Sequence, residues 1–328
     1  MKKFLSIALC ALMVVSLFAL AGCGKKSEAG LKFGAGVYAT QPTVTDASAD
    51  KEGTGKVDVT VAAVTVDANG KIAHCELDTM SNSVKFTLDG KAIANDEFKT
   101  KYELGEGYNM VAYGGAQKEW FEQADAFETI AVGKNLDEVK ALVAEGDKGT
   151  DEVIKAGCTI QIGEFVGAIE KAYNAAADSD VTAADTIKVT MATEQTCADA
   201  TEDKDGSNKV STTVFAAAVN AEGKVVAASS DCVEVTFTFD QNGVSTLDTT
   251  KDVVSKKELG TNYGMVAYGG AAKEWFEQAA AFDAACVGKN ASEISALLAE
   301  DGKGTDELQK AGCTIYVTGF VKAASKIG

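Results

Sequence analysis

Lys118-Glu119-Trp120-Phe121-Glu122-Gln123-Ala124 recurs letter for letter as Lys273-Glu274-Trp275-Phe276-Glu277-Gln278-Ala279. This block holds both tryptophans of the chain and sits inside a longer match. Residues 101–173 align without gaps on 256–328, with about 45 identities in the 73 pairs. Glu103-Leu104-Gly105 returns as Glu258-Leu259-Gly260, and Val111-Ala112-Tyr113-Gly114-Gly115-Ala116 returns at 266–271. Upstream the match weakens and its offset falls by two residues, pairing Lys56-Val57 with Lys209-Val210 and Gly70-Lys71 with Gly223-Lys224. The chain therefore reads as two copies of one unit, at 36–175 and 189–328, with a linker over 176–188. Units of this size are far longer than the period of roughly 20–50 residues that marks a solenoid, which predicts tandem globular domains.

Each copy reads as strands first and helices second. Val57-Asp58-Val59-Thr60-Val61 alternates, continues through Val64-Thr65-Val66 and meets a turn at Asp67-Ala68-Asn69-Gly70. The chain resumes over Lys71 to Leu77, which predicts a β-hairpin with Asn69-Gly70 supplying positive φ angles. Val84-Lys85-Phe86-Thr87-Leu88 predicts a further strand before the turn at Asp89-Gly90. Trp120, Ala124, Phe127 and Ala131 fall at i, i+4, i+7 and i+11 and so share one helical face. Gly133 ends that helix. Asn135 with Glu138, and Asn290 with Glu293, form capping boxes for the next, whose apolar face in the first copy is Val139, Leu142 and Val143. Thr150-Asp151-Glu152 is a further helix start, and a last amphipathic helix is predicted over 163–175. Segregated strands and helices make the expected fold α+β: two tandem homologous domains, each an antiparallel β-sheet opening with a hairpin and followed by packed helices.

Composition narrows the partners. The 328 residues are 46% apolar and 24% charged, an ordinary globular mixture. Acidic residues outnumber basic ones by 48 to 31, a net charge of −17, and every basic residue is a lysine. Nucleic-acid binding needs clustered cations to neutralise phosphates, so no nucleic-acid partner is expected. Without arginine there is no bidentate guanidinium clamp either. The one histidine, His74, is matched by Ala227 in the second copy, so it cannot serve a function that both copies share. No nucleophile–base pair recurs in the two copies and no calcium-loop spacing occurs, so no catalytic and no metal-binding residues are assigned.

The first 22 residues read as a processing segment. Lys2 and Lys3 precede an apolar stretch from Phe4 to Leu20, closed by Leu20-Ala21-Gly22-Cys23. Small residues directly before a cysteine match the lipobox of bacterial lipoproteins, so residues 1–22 are expected to be a signal peptide and Cys23 the lipidated mature N-terminus. Residues 23–35 read as a polar tether. The expected location is the extracytoplasmic face of the cell membrane, held through the N-terminal lipid.

Three features resemble the FMN-binding domain of bacterial lipoproteins and of flavoprotein subunits in membrane redox complexes. The first is the hairpin turn Asp67-Ala68-Asn69-Gly70-Lys71-Ile72, repeated at 220–225. The second is the Glu-Leu-Gly…Tyr…Met…Lys-Glu-Trp-Phe-Glu-Gln-Ala block, which looks like exported proteins of anaerobic Gram-positive bacteria. The third is Ala156-Gly157-Cys158-Thr159, with its copy Ala311-Gly312-Cys313-Thr314, just before the last helix. In covalent members a Ser-Gly-Ala-Thr segment at that place carries FMN as a phosphoester on its threonine. The resemblance thus implies FMN at Thr159 and Thr314, with Gly157 and Gly312 letting the backbone approach a phosphate. Here Ala156 stands for the serine and Cys158 for the alanine, while Gln161 and Tyr316 stand where a second hydroxyl is common.

Tyr113 and Tyr268, each followed by two glycines, could stack a flat ring; a loop leading into the tryptophan helix explains them equally well. Trp120 and Trp275 read as core anchors. Six cysteines follow Cys23, and only Cys158 and Cys313 are matched between copies, so buried free thiols are expected rather than disulfides. Two functional expectations follow. One is a lipid-anchored FMN-binding flavoprotein carrying electrons outside the membrane, its redox partner unidentified. The other is a non-enzymatic anchored surface protein (solute-binding, adhesion or surface antigen) with duplicated binding domains for a small ligand.

Overall fold

Val57, Val59 and Val61 point to one face of a strand, Ala62, Val64 and Val66 to the other, and all six are buried. A strand buried on both faces needs a layer on each side. The computed structural model describes residues 30–328; the signal segment, Cys23 and most of the tether lie outside the described residues.

In the first copy, strands β1 (Leu31–Ala39), β2 (Thr43–Thr45), β3 (Gly53–Val66), β4 (Ile72–Phe86) and β5 (Ala92–Ile93) build an antiparallel sheet. Helices α1 (Lys101–Leu104), α2 (Trp120–Ala131), α3 (Leu136–Lys140), α4 (Asp151–Ala156) and α5 (Gly163–Asn174) follow. The chain then enters β6 (Ala177–Val181), which returns to the first sheet and pairs with β1. That sheet runs β5-β4-β3-β1-β6, with β2 on β3. The second copy forms β7 (Thr186–Ala198), β8 (Gly206–Val219) and β9 (Val225–Phe239), a three-stranded antiparallel sheet. Its helices are α6 (Lys256–Leu259), α7 (Trp275–Cys286), α8 (Ala291–Ser295), α9 (Asp306–Ala311) and α10 (Thr318–Ala324).

The two sheets pack face to face. Val57, Val59, Val61, Met80 and Val84 of the first share one core with Met191, Val210, Val214, Val233 and Phe237 of the second. Phe86 stacks on its own counterpart Phe239, ring centroids 4.5 Å apart. An equivalent residue meeting its copy marks an internal pseudo-two-fold relation. Polar bonds register the seam: Asn82 donates to Thr212 at 3.0 Å, and Asn208 donates to the carbonyl of Lys85 at 2.8 Å. The outer face of each sheet carries its own helices, around Trp120, Phe127 and Phe165 on one side and Trp275, Phe282 and Phe320 on the other. The result is a mixed α+β arrangement in four layers, helices–sheet–sheet–helices.

Several expectations change. Residues 31–35, read as tether, begin β1, and residues 176–188, read as linker, hold β6 and the start of β7. Backbone donors and acceptors left by β1 at its outer edge are met there by β6. Val84 to Phe86 is the end of β4 rather than a separate strand. In the first hairpin only Gly70 has positive φ. Asp67 bonds the Lys71 and Asn69 N–H groups, and the register shifts by one residue before Ile72, so the turn is longer than a two-residue one. The α2 face, its end near Gly133, both capping boxes and the last helix of the first copy lie where the pattern placed them.

Candidate functional site

The polar residues of the repeated block have separate tasks. Glu119 is buried at the start of α2, where its carboxylate accepts from the N–H groups of Met110 and Val111 at 2.8 and 3.1 Å. Glu274 does the same for Met265 and Val266. Glu122 reaches back to the Glu119 N–H, completing the first turn. Gln123, also buried, accepts from both the N–H and the hydroxyl of Thr159, at 2.8 and 3.0 Å. Its amide donates to the Lys118 carbonyl at 3.1 Å. Gln278 repeats these contacts with Thr314 and Lys273. Lys118 and Lys273 lie across Gly157 and Gly312, so close that a Cβ there would strike the ammonium. The block thus ties the loop before the helix to the Gly-Cys-Thr turn after α4 or α9.

Trp120 also floors a buried cation. The Lys101 ammonium lies 5.4 Å from the Trp120 ring and 5.5 Å from that of Tyr108. Lys256 sits likewise between Trp275 and Tyr263, at 5.6 and 5.0 Å. A desolvated ammonium between ring faces still needs a counter-charge. Asp58 supplies it to Lys101 at 3.4 Å, and Glu234 to Lys256 at 3.1 Å. These carboxylates are not counterparts. Asp58 faces Ser81 across β3–β4, and Ser211 faces Glu234 across β8–β9, so the charge has moved to the other member of the same cross-strand pair. Burial would raise the Glu234 acid, but Lys209 and Lys256 hold it below the ordinary range.

Beside Lys256 lies a cavity of about 560 Å³, inside the range of roughly 300–1,000 Å³ usual for small-molecule sites. Thr213, Tyr263, Trp275, Lys303, Thr314 and Tyr316 are among its walls. Gly319, the second residue of α10, keeps it open; a Cβ there would lie 2.7 Å from the Thr213 hydroxyl. In the first copy Glu164 stands at that position. Its carboxylate accepts from Thr60, the counterpart of Thr213, at 3.1 Å, and Thr60 bonds Thr79 at 2.8 Å. Burial and the nearby Asp58 push the Glu164 acid up, against the pull of Lys101 and Thr60.

The sequence-predicted residues separate accordingly. Thr314 borders the cavity, with its hydroxyl committed to Gln278. Thr159 holds the same turn in the first copy. Gly157 and Gly312, at φ of 105° and 106°, close α4 and α9 in the left-handed region, and their N–H groups bond back into those helices. The close approach they permit is to a lysine rather than to an anion on free N–H groups. Tyr113 and Tyr268 project from their loops 88% and 91% exposed, away from the aromatic walls built by Tyr263 and Tyr316. Lys101 and Lys256 were missed, although they are the opening identity of the long alignment.

A second cluster was also missed. Glu76 and Asp78 on β4 face Asp125 and Glu128 on α2, around the Tyr102 hydroxyl, which donates to Asp125. Burial above all, and then mutual repulsion, pushes Glu128 up to about 9 and Glu76 to about 7; burial likewise pushes Asp78 to about 7. In the second copy Lys257 replaces Tyr102 and donates to Ser229 at 2.9 Å. His74 pairs with the Thr65 hydroxyl at 2.7 Å across the hairpin. Six cysteines are free among the described residues, five of them buried. Burial raises the Cys158 and Cys313 thiols to about 11, away from thiolate chemistry. Comparison with protein families, with curated proteins and with solved structures finds no match.

Proposed function

We propose that this chain is a lipid-anchored extracytoplasmic binding protein, built from two homologous copies of one domain, with FMN as the first candidate ligand. The observation that carries the reading is the cavity of the second copy, which joins aromatic walls, two lysines and Thr314 in one space. Those features suit a flat ring bearing an acidic group. In the second copy Tyr316, 69% exposed, would hold the ring and Lys303 the phosphate, with Thr314 at the wall and Trp275 buried behind Lys256. A bound flavin supplies electron transfer, and the protein would contribute binding, orientation and exclusion of water. The first copy fits FMN poorly, because Glu164 puts a carboxylate where its counterpart cavity opens. A non-redox anchored binding protein is the second reading. It is favoured by the Gln278 bonds that occupy both the N–H and the hydroxyl of Thr314.

The test is the absorption spectrum of the mature protein made with its export machinery and a flavin transferase, repeated after acid precipitation. Flavin bands in the pellet, lost in Thr314→Ala, are expected for covalent attachment. Flavin released to the supernatant means a non-covalent site. A colourless protein that takes up no added FMN overturns the flavin reading and leaves the second.

A further inference from the structure

We infer that the two copies have diverged into one site open down to its buried lysine and one that Glu164 closes: Glu164 lies over Thr60 beside Lys101 and borders a cavity of about 660 Å³ that reaches neither of them, whereas the second copy takes the acidic group of a free small molecule. The inference rests on reading the second cavity as a ligand site, and not on flavin being the ligand.

Several observations lead there. Glu164 and Gly319 are counterparts at the second residue of the last long helix of each copy. Glu164 extends over the Thr60–Thr79 pair, beside Lys101. Its counterpart Gly319 leaves Thr213 and Lys256 bordering the cavity. Finally, the carboxylates in the second cavity are already neutralised: Glu234 by Lys209 and Lys256, Glu194 by Lys322. Lys303 makes no ion pair among the described residues and lies 5.8 Å from the Tyr316 ring. The charge left over in the cavity is thus positive. An anionic group entering it would meet a hydroxyl and two ammoniums, much as the Glu164 carboxylate meets Thr60 and Lys101.

Cysteine accessibility tests this without assuming a ligand. In full-length protein carrying Cys197→Ser and Cys232→Thr, which remove the exposed thiol and the thiol that lines the cavity, Thr213→Cys and Thr60→Cys are labelled with an anionic and a cationic methanethiosulfonate reagent. Position 213 should react at least about tenfold faster than position 60, and Glu164→Gly should abolish most of that gap. After correction for a free thiol, the anionic reagent should lead at 213 by up to about tenfold, and Lys303→Gln should erase the lead. Equal rates at 60 and 213, no effect of Glu164→Gly, or preference for the cationic reagent would overturn the inference. FMN and riboflavin, which share a ring and differ by the phosphate, are then titrated into the wild type and Gly319→Glu. One FMN per chain, binding more tightly than riboflavin and lost in Gly319→Glu, supports both readings. If neither flavin binds while the labelling pattern holds, the flavin reading falls and the inference stands.

Discussion

A lysine between two aromatic rings needs one counter-charge, and the two copies supply it from opposite sides of the same cross-strand pair. That exchange predicts a rescue. Asp58→Asn leaves the Lys101 ammonium, only 10% exposed, without its carboxylate. It should cost about 1–3 kcal/mol in urea denaturation, less than a fully buried pair because Asp58 is partly solvated. Asp58→Ser combined with Ser81→Glu copies the second copy and should recover most of the loss; failure to recover would mean that Glu164 excludes the moved charge. Gln278→Ala removes one side chain that satisfies two donors of Thr314 and should cost about 1–2 kcal/mol in the same assay. These contacts explain what the sequence could and could not disclose. The identity of Lys118 to Ala124 with Lys273 to Ala279 marked the duplication, and Lys118, Glu119, Trp120, Glu122 and Gln123 each have a contact that justifies it. The Asp58–Glu234 exchange was hidden because a compensated swap appears in an alignment as two unrelated mismatches.

Among the elements, helices were the most legible. Their caps and apolar spacings are local, and α2, α3 and α5 lie where Trp120, Asn135 and Gly163 announced them. The hairpin was legible and its turn was misread, since Asp67 captures two N–H groups and leaves positive φ to Gly70 alone. What α2 and β4 do jointly was not legible, because Glu76 and Asp78 are separated from Asp125 and Glu128 by nearly fifty residues. Their packing has a pH consequence. Native Glu128, Glu76 and Asp78 keep protons that the unfolded chain has released, so the native state binds more protons between the two sets of values. Stability should therefore fall as pH rises from about 5 to about 9, the reverse of the usual salt-bridged carboxylate. Glu128→Gln keeps an acceptor for the Leu77 N–H, a 2.7 Å bond in the native protein. It should flatten that fall and add about 1–2 kcal/mol at pH 8. A variant whose midpoint tracks the wild type across this range would show that the cluster is solvated enough to ionise without penalty.

For the whole molecule, the decisive signal was present and was read too simply. Alternation in Val57 to Val61 predicted a strand of a hairpin and said nothing of its second face. Yet Val61-Ala62-Ala63-Val64, and Phe215-Ala216-Ala217-Ala218-Val219 in the second copy, are apolar on both faces. Helices cover only one of those faces in each copy. Period and propensity cannot say what covers the other, and the answer is the other copy of the same unit, seated so that Phe86 meets Phe239. Separating the copies would expose Val57, Val59, Val61 and Val84 on one side and Val210, Val214, Val233 and Phe237 on the other. Each such side chain forfeits roughly 1.5–3 kcal/mol of burial, and the eight together, about 12–24 kcal/mol, match or exceed the usual stability of a domain of about 5–15 kcal/mol. Residues 30–181, which keep β6 with β1, and residues 182–328 should therefore not behave as folded monomers. Each should self-associate through its bare sheet face, while the two made together should return as a one-to-one complex with native near-ultraviolet dichroism. Size-exclusion chromatography with light scattering distinguishes these states. Two stable monomers would mean that the seam merely joins finished domains; a one-to-one complex formed from dependent halves would mean that duplication made the second sheet part of the first one's core, leaving one copy free to keep its cavity open while the other closed its own with Glu164.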